Sequence, residues 1–516
     1  MAKQRNNRIN TYINIITSVG VMVVNLFISF WLSPYIIRTI GVEANGFVSL
    51  ANNFVTYANL IVTALNAMAA RFITIAYVQK DYKKANLYYN SVFWGNLVIV
   101  AVLLIPAIYM VFKLETFIDV PVDILLDVKL LFSLVFLSFF VRTGAPNYDC
   151  GTYITNRMDL SYIPSMFTAL LRCVLLVGMF TIWVPRVWYV TLVSAVLGFI
   201  SLGVAGYYTH KLTPELKISL RNPICSWKAN QELLSSGIWS SIAGGGAMLL
   251  SGLDLLMCNL YVGATAMGVL ALSKTLPGIL GQFSDAITGA FSPEMTINYA
   301  KDNKDILLKD INRAMKISAV TVTIPAAGIV VMSDVFYSLW VPSQDANLLQ
   351  VLTALAILSY MINSGIIILH RVFAVVNRTR LSAAAMIITG GCSLLFTWLM
   401  IRFTDWDIYA VAGISSVMTI IKNVFFVTPV TAVLLGYSWK QFFPCLGTTT
   451  ICSAIVIAVG VIAKQLLSPS TWLGFFATCG VVGVIGLCVN VFLVLNKGER
   501  DFLFSKVKSK LRKQSE

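Results

Sequence analysis

The sequence predicts an all-α polytopic membrane protein with about 14 transmembrane helices, and three observations lead to that prediction. The chain has 516 residues, of which 58% are hydrophobic and only 12% are charged, whereas soluble domains carry about 25% charged residues. Apolar runs of about 20 residues, the length that crosses a bilayer as a helix, recur along the whole chain. The third observation is an internal repeat, which divides the helices into two lobes.

The apolar runs define the predicted spans and their orientation. The predicted spans are roughly 11–32, 46–66, 88–112, 130–148, 161–184, 187–208, 236–260, 267–291, 317–340, 348–369, 381–401, 408–434, 442–463 and 472–495. An even number of spans places both termini on one side. Of the 38 Lys and Arg residues, 28 fall on that side, six on the other and four within spans. Because cytoplasmic loops are rich in Lys and Arg, we predict that both termini are cytoplasmic.

Both ends of the chain are also expected to contact the membrane. Residues 13–32 are too long for the apolar region of a signal peptide and lack a small-residue cleavage pattern, so they are expected to form the first membrane helix. The basic tail, residues 497–516, is expected to lie on anionic lipid. A nucleic-acid-binding arm is the alternative for this tail, and the membrane interpretation predicts no nucleic-acid partner.

The repeat is carried by short motifs at a nearly constant offset. NRMDLS at 156–161 returns as NRTRLS at 377–382, which is 221 positions later. Three further pairs keep an offset of 221 or 222: 41–46 with 263–268, 120–121 with 341–342, and Tyr77 with Tyr299. The repeating unit contains six spans, so both copies enter the membrane in the same direction. The two lobes are therefore expected to be related by an axis along the membrane normal, as in parallel-repeat transporters.

The repeat also sets the predicted domain boundaries. An N-terminal lobe of six spans occupies residues 1–210, and a cytoplasmic linker follows at 211–235. The C-terminal lobe, also of six spans, occupies 236–436, and spans 13 and 14 lie in 437–496 before the basic cytoplasmic tail. Two related lobes with a site between them can open that site to each side of the membrane in turn, which predicts transport by alternating access.

Charged residues within the spans are the candidate functional residues. A charge in a span costs several kcal/mol and tends to face a cavity or a partner. The predicted spans contain four bases, Arg142, Arg172, Lys274 and Lys422, and fewer acids, of which Asp254 and Asp285 are the candidates. They either form internal ion pairs, such as Asp254 with Lys274, or line a cationic cavity for an anionic substrate. The surplus of bases favours the cavity.

A polar position in the first lobe corresponds to Lys274. Asn52 lies 222 positions earlier and belongs to a cluster with Asn53 and Asn59. This cluster either joins helices or hydrogen-bonds a polar ligand such as a sugar, and both interpretations stay open. Pro277 can kink the helix that carries Lys274, as in transporters with broken helices near the substrate, although the nearby glycines also permit close helix packing.

The sequence shows no signature of catalysis. The nine cysteines include no CxxC pair, only two histidines are present, and Gly244–Gly246 is not followed by the remainder of a phosphate-binding loop. We therefore predict no enzymatic activity, no metal and no cofactor. Transport would be driven by an ion gradient, with H⁺ or Na⁺ as the coupling ion, or by the gradient of the substrate itself.

Two stretches resemble a known family. LSPYIIRTIGVEANGFVSLANNF and NAMAARFITIAYVQKDYKKAN are similar to the opening of Wzx-type bacterial polysaccharide flippases, in the multidrug/oligosaccharidyl-lipid/polysaccharide exporter superfamily. The resemblance covers roughly residues 10–440. The matching landmarks are Pro34, Arg38, Gly41, Gly46 and Arg71 in the first lobe, with Asp254 before YVGATAMGVLALSKTL and Pro293 in the second. The stretch NAMAARF lacks the acid and the additional glycines of many relatives, so no acidic residue is carried over there.

The resemblance implies a V-shaped bundle of two lobes in the bacterial cytoplasmic (inner) membrane. It implies translocation of undecaprenyl-diphosphate-linked oligosaccharide repeat units for O-antigen, capsular or exopolysaccharide synthesis, alongside polysaccharide polymerase and chain-length machinery. The diphosphate and acidic sugars would bind a cationic cavity. We assign Arg142, Arg172, Lys274, Lys422 and Asn52 to substrate binding, and Asp254 and Asp285 to ion coupling or gating.

Three other functions remain as alternatives. A lipid II flippase would also have fourteen spans. A cation-coupled multidrug exporter of the same superfamily would usually have twelve spans and an acidic cavity. A membrane-embedded polymerase or ligase would carry a large outer loop with reactive residues, whereas the longest predicted outer loop here, 113–129, is better explained as a solvated connector.

Overall fold

A computed structural model describes residues 7–66, 69–219, 226–300, 304–495 and 500. Within these ranges all regular structure is helical, and 14 helices are long and apolar enough to cross a membrane. The predicted fold class is therefore confirmed. The tail 497–516 lies outside the described residues except for Arg500, as do 220–225 of the predicted linker and the side chains of Arg71 and Pro293.

The chain forms two compact units, the first comprising Met1–Gly245 with Gly263–Gly268 and the second comprising Gly246–Val262 with Val269–Glu516. The described residues of the first unit include these complete α-helices: α1 Asn7–Ile40, α2 Val42–Asn66, α3 Ala69–Val78, α4 Tyr82–Phe112, α5 Leu114–Phe117, α6 Leu125–Gly144, α7 Asp149–Ile154, α8 Asp159–Ile182 and α9 Trp188–Leu212. A 3₁₀ turn, Val122–Ile124, precedes α6. Helix α1 packs against α8, and α6 packs against α4 and α9.

Helix α10, Trp227–Ala247, carries the chain from the first unit into the second. The remaining α-helices are α11 Asp254–Tyr261, α12 Ala264–Ser273, α13 Thr275–Ala300, α14 Lys304–Trp340, α15 Ala346–Asn363, α16 Leu369–Val375, α17 Thr379–Phe403, α18 Asp407–Lys422, α19 Thr428–Leu434, α20 Phe443–Leu467 and α21 Trp472–Val494. In the second unit, α14 packs against α13, α15, α20 and α21. Helix α14 begins well before the predicted start of its span at residue 317.

The repeated NR motif has the same backbone conformation in both copies. Asn156 ends α7 with a φ of 52°, and Asn377 ends α16 with a φ of 54°. In each copy the following Arg N–H donates back across the end of the helix, to the carbonyl of Thr152 or of Phe373 at 2.8 and 2.7 Å. This is a Schellman-type helix end, and asparagine tolerates its left-handed residue better than most side chains. The motif recurs because both copies stop a short helix and start a long one at this point.

Two five-residue π-helical turns interrupt the second unit. Met248–Gly252 separates α10 from α11, and Asn423–Val427 separates α18 from α19. A π turn inserts one extra residue into a helix and is frequent at functional sites. Both turns adjoin a charged residue that the sequence singled out, since Asp254 begins α11 and Lys422 ends α18.

Candidate functional site

The structure brings together one pair among the predicted site residues, Asp254 and Lys274. The Lys274 ammonium donates to the Asp254 carboxylate, and its nitrogen also lies 3.2 Å from the carbonyl oxygen of Ser251. Both groups are largely removed from solvent, with 8% of the Asp254 side chain and 27% of the Lys274 side chain exposed. This is the ion pair that the sequence offered as the alternative to a cavity role for these two residues.

Lys274 occupies the single-residue break between α12 and α13. Pro277 has no N–H to give to the carbonyl of Ser273, four residues earlier, so that carbonyl must find another donor. The Thr353 hydroxyl supplies it at 3.1 Å, and the Tyr337 hydroxyl lies at 3.4 Å. The proline therefore interrupts the helix where the sequence predicts a kink, and the break falls at the charged residue.

Lys422 is the most buried of the predicted bases, with 6% of its surface exposed. Its ammonium nitrogen lies 2.9 Å from the Met386 sulfur atom. No carboxylate of the described residues forms an ion pair with it. A buried ammonium without a counter-ion is costly, because the charge loses its hydration and a thioether is only a weak acceptor. This residue is accordingly a strong candidate for binding an anion.

Close backbone packing fixes the surroundings of Lys422. Helix α17 runs directly against the π turn at 248–252, and a Cβ at Gly390 would lie 2.5 Å from the carbonyl oxygen of Gly246. The Ser393 hydroxyl donates to the Leu250 carbonyl at 3.1 Å. Small residues allow two helix backbones to approach this closely. Met386, one turn before Gly390, is thus held beside Lys422 by α17.

A histidine that the sequence analysis left unassigned adjoins this lysine. His370 Nε2 donates to Asn423 Oδ1 at 2.8 Å, and Asn423 follows Lys422 directly. His370 lies between candidate spans, on α16. Burial, reinforced by the positive charges of Lys422 and Arg371, lowers the pKa of His370 from 6.5 to about 3. The imidazole is therefore neutral near Lys422.

Asp285 has a partner that the sequence analysis missed. Arg371, on α16, places a guanidinium nitrogen 3.0 Å from an Asp285 carboxylate oxygen, and 79% of the Asp285 side chain is exposed. Such an exposed pair contributes about 0–1 kcal/mol. Arg371 adjoins His370 in the sequence, but only the fold places it opposite Asp285.

The other three predicted site residues, Asn52, Arg142 and Arg172, lie in the described part of the first unit, and the structure shows no hydrogen bond between them. Asn52 is exposed and donates to the Val48 carbonyl of its own helix at 2.8 Å. Arg142 is exposed, and Arg172 is half-buried with an Nε that has no hydrogen-bond partner in the described chain. Within those same ranges neither arginine forms an ion pair. Together with Lys422, they are the predicted intramembrane bases that no described carboxylate neutralises.

The 14 long apolar helices of the described residues are those of a multi-pass membrane protein. No protein-family model matches the chain. It is 24% identical over 509 residues to a Bacillus subtilis (strain 168) protein named uncharacterized membrane protein EpsK, with 96% of this chain and 97% of that protein aligned.

The solved structures that share the fold include a flippase and a multidrug transporter. The lipid II flippase MurJ in an inward closed conformation superposes with a TM-score of 0.66 and 14% identity, over 92% of this chain and 97% of that one. An inward-facing multidrug resistance MATE family transporter of the MOP superfamily superposes with a TM-score of 0.64 and 11% identity, over 83% of this chain and 99% of that one. The chain therefore has the MurJ/MATE-like fold, and these structural neighbours are transporters rather than enzymes.

Proposed function

We propose that the protein is a flippase that moves undecaprenyl-diphosphate-linked oligosaccharide repeat units across the bacterial cytoplasmic membrane by alternating access. The products would enter O-antigen, capsular or exopolysaccharide synthesis, and polysaccharide polymerase and chain-length proteins would be the partners. The observation that carries this proposal is Lys422, a buried ammonium without a carboxylate partner in the described chain. A diphosphate is the kind of group that such a site would bind.

The remaining site residues have assigned roles in this proposal. Arg142 and Arg172 would add positive charge for the diphosphate or for acidic sugars, and Asn52 would hydrogen-bond a sugar. Lys274 is neutralised by Asp254, so it would bind substrate only when Asp254 takes a proton or a Na⁺ ion in its place. Asp254 would thus couple ion binding to substrate binding, and Asp285 would act as a gating residue through its pair with Arg371.

Two alternatives have support of their own. The shared fold with MurJ favours a lipid II flippase, which would use the same cationic residues for the same diphosphate chemistry. The shared fold with a MATE transporter, together with a buried acid in Asp254, favours a cation-coupled multidrug exporter. In the exporter, Asp254 would be the substrate-binding residue and Lys422 would be structural.

A deletion strain tests the proposal. We expect the strain to lose surface glycan and to accumulate undecaprenyl-linked repeat units on the cytoplasmic side. Wild-type protein should restore the glycan, and the Arg172→Ala/Lys422→Ala variant should fail at an equal membrane level. Lys440→Ala is the matched control, because Lys440 is an exposed lysine outside the candidate spans and should behave as wild type.

Other outcomes would select an alternative. Accumulation of lipid II with arrested growth, rather than of glycan repeat units, would assign the protein to peptidoglycan synthesis. Unchanged glycan with increased drug sensitivity would select the exporter, and full activity of the double variant would remove the anion-binding role from both bases.

A further inference from the structure

The face of α4 carries an asparagine ladder, which we define as Asn86 and Asn90, one helical turn apart. Asn86 Nδ2 donates to the Glu215 carbonyl at 2.8 Å, and the Lys217 N–H donates to Asn86 Oδ1 at 2.8 Å. Asn90 makes the same two bonds to partners two residues further along the segment. Its Nδ2 donates to the Lys217 carbonyl at 2.8 Å, and its Oδ1 accepts from the Ser219 N–H at 2.9 Å. The ladder thus binds the main chain of the segment 215–219.

The geometry explains why two asparagines suffice. Four residues of an α-helix rise about 6 Å, and two residues of extended chain span about 6.6 Å. Side chains at i and i+4 on a helix therefore match alternate residues of an extended peptide. Each amide also donates to the carbonyl four residues before it, Tyr82 for Asn86 and Asn86 for Asn90, both at 2.9 Å. Every amide hydrogen and oxygen of the ladder consequently has a partner.

Further contacts support the docked segment on both sides. Leu216 is 4% exposed and belongs to an apolar cluster with Ala85, Tyr89 and Leu233. The Tyr77 hydroxyl donates to the Glu215 carboxylate, and burial, followed by Glu215, raises the pKa of Tyr77. Beyond the undescribed residues 220–225, the Ser226 N–H donates to the Ser91 hydroxyl at 3.1 Å. The start of α10 joins the same cluster through Leu233.

We propose that α4 is a docking surface for an extended peptide main chain, and that its occupant is the segment 215–219 of the chain itself. The sequence places this segment in the predicted cytoplasmic linker, 211–235. The ladder makes it a fixed part of the first unit. Because the amides of the ladder contact only main-chain atoms of the segment, their hold depends on the N–H groups of Lys217 and Ser219, and it places no demand on the Lys217 side chain. This inference is independent of the proposed transport function.

Hydrogen exchange followed by mass spectrometry, on the full chain in detergent or nanodiscs, tests the proposal. We expect protection of 215–219 by about 100-fold relative to an unstructured peptide, a level set by local opening. Asn86→Ala/Asn90→Ala should reduce that protection about tenfold or more, since four hydrogen bonds are lost. Asn347→Ala, which alters an exposed asparagine on α15, should leave it unchanged.

A proline scan then separates main-chain docking from side-chain docking. Lys217→Pro removes an N–H that the ladder binds and should abolish protection of Leu216 and Ser219, whereas Lys217→Ala should not. Ile218→Pro places the same residue at a position whose N–H the ladder does not use and should retain most of the protection. Ile218→Ala measures the packing lost with that isoleucine, which contacts the apolar cluster.

Three results would overturn the proposal. In the first, 215–219 of the wild-type chain exchanges as fast as an unstructured peptide. In the second, Lys217→Ala is as disruptive as Lys217→Pro. In the third, Lys217→Pro and Ile218→Pro lower protection equally. A thermal unfolding midpoint within a few degrees of wild type would establish that each variant is folded.

Discussion

At the scale of single residues, the notable feature of this protein is an ammonium group that the chain buries beside a thioether. Lys422 has no described carboxylate partner, whereas Lys274 and Arg371 each have one. The sequence named four intramembrane bases as candidates but could not rank them. Which base keeps an unneutralised charge depends on contacts with residues distant in sequence. Asp254 lies 20 positions from Lys274, and Met386 lies 36 positions from Lys422.

Replacing Lys422 by methionine should separate stability from function. The variant keeps the side-chain length and removes a buried charge that has no counter-ion, so the free energy of unfolding should stay constant or rise by ~1 kcal/mol. Surface glycan should nevertheless be lost. Thermal unfolding in detergent, together with the complementation assay, measures both. A strongly destabilised Lys422→Met would mean that the charge has a structural partner.

Breaking the Asp254–Lys274 pair should be costly, and restoring neutrality should recover most of the cost. Asp254→Asn leaves the Lys274 ammonium without its carboxylate, and we expect a loss of about 3 kcal/mol. The Asp254→Asn/Lys274→Met double variant should recover at least half of that loss. A double-mutant cycle on the unfolding free energy is the measurement. Additive effects of the two substitutions would show that the pair does not interact energetically.

His370 should make the protein less stable in acid. Its pKa falls from 6.5 in the unfolded chain to about 3 in the folded one. Between those values the unfolded state binds a proton that the folded state does not, so stability decreases as pH falls below 6.5. At pH 5 the expected cost is about 2 kcal/mol. His370→Gln should remove this slope from the pH profile of thermal unfolding, and His210→Gln, at an exposed histidine, should retain it.

At the scale of elements, the repeated helix end shows what a motif can and cannot predict. NRMDLS and NRTRLS predicted duplication, and the structure explains it by a left-handed asparagine that closes a short helix in each copy. The two π turns had no such signal. Each adjoins a charged residue, and the 248–252 turn packs closely against α17, but no local pattern in residues 248–252 or 423–427 indicates a π turn.

The two asparagines should respond differently to glycine. Asn377 shows no side-chain hydrogen bond within the described chain. Asn377→Gly therefore removes only the steric cost of a Cβ in the left-handed conformation, and it should raise the unfolding free energy by up to ~1 kcal/mol. Asn156 also accepts from the Asn14 amide at 3.0 Å. Asn156→Gly should therefore be neutral or destabilising. Calorimetry on both variants tests this, and an equal response would make the Asn14 contact energetically irrelevant.

At the scale of the whole molecule, composition and periodicity were sufficient for the fold class. Every predicted span overlaps one of the 14 observed candidate helices, because crossing a bilayer requires a length and an apolarity that a sequence displays directly. The docked linker segment was missed for the opposite reason. Its stability comes from hydrogen bonds between residues about 130 positions apart, and its composition is that of an exposed loop.

The predicted orientation can be checked by labelling. Lys80→Cys, in the turn before α4, should react with a membrane-impermeant maleimide only after the cells are permeabilised. Glu115→Cys, between α4 and α6, should react in intact cells, because its loop is predicted to lie outside. Both positions are exposed, so a difference in reaction reports the side of the membrane. Labelling of the Lys80→Cys variant in intact cells would reverse the topology.

The asparagine ladder also has a consequence for how this chain can change over generations. An amide that binds only peptide groups places no demand on the side chain it passes, so the identity at position 217 is free to drift, with proline as the excluded residue. Asn86 and Asn90 have no such freedom, since no other side chain of that length offers one donor and one acceptor to a peptide group. Lineages of this protein should therefore preserve two asparagines on a helix while the segment that those asparagines hold diverges.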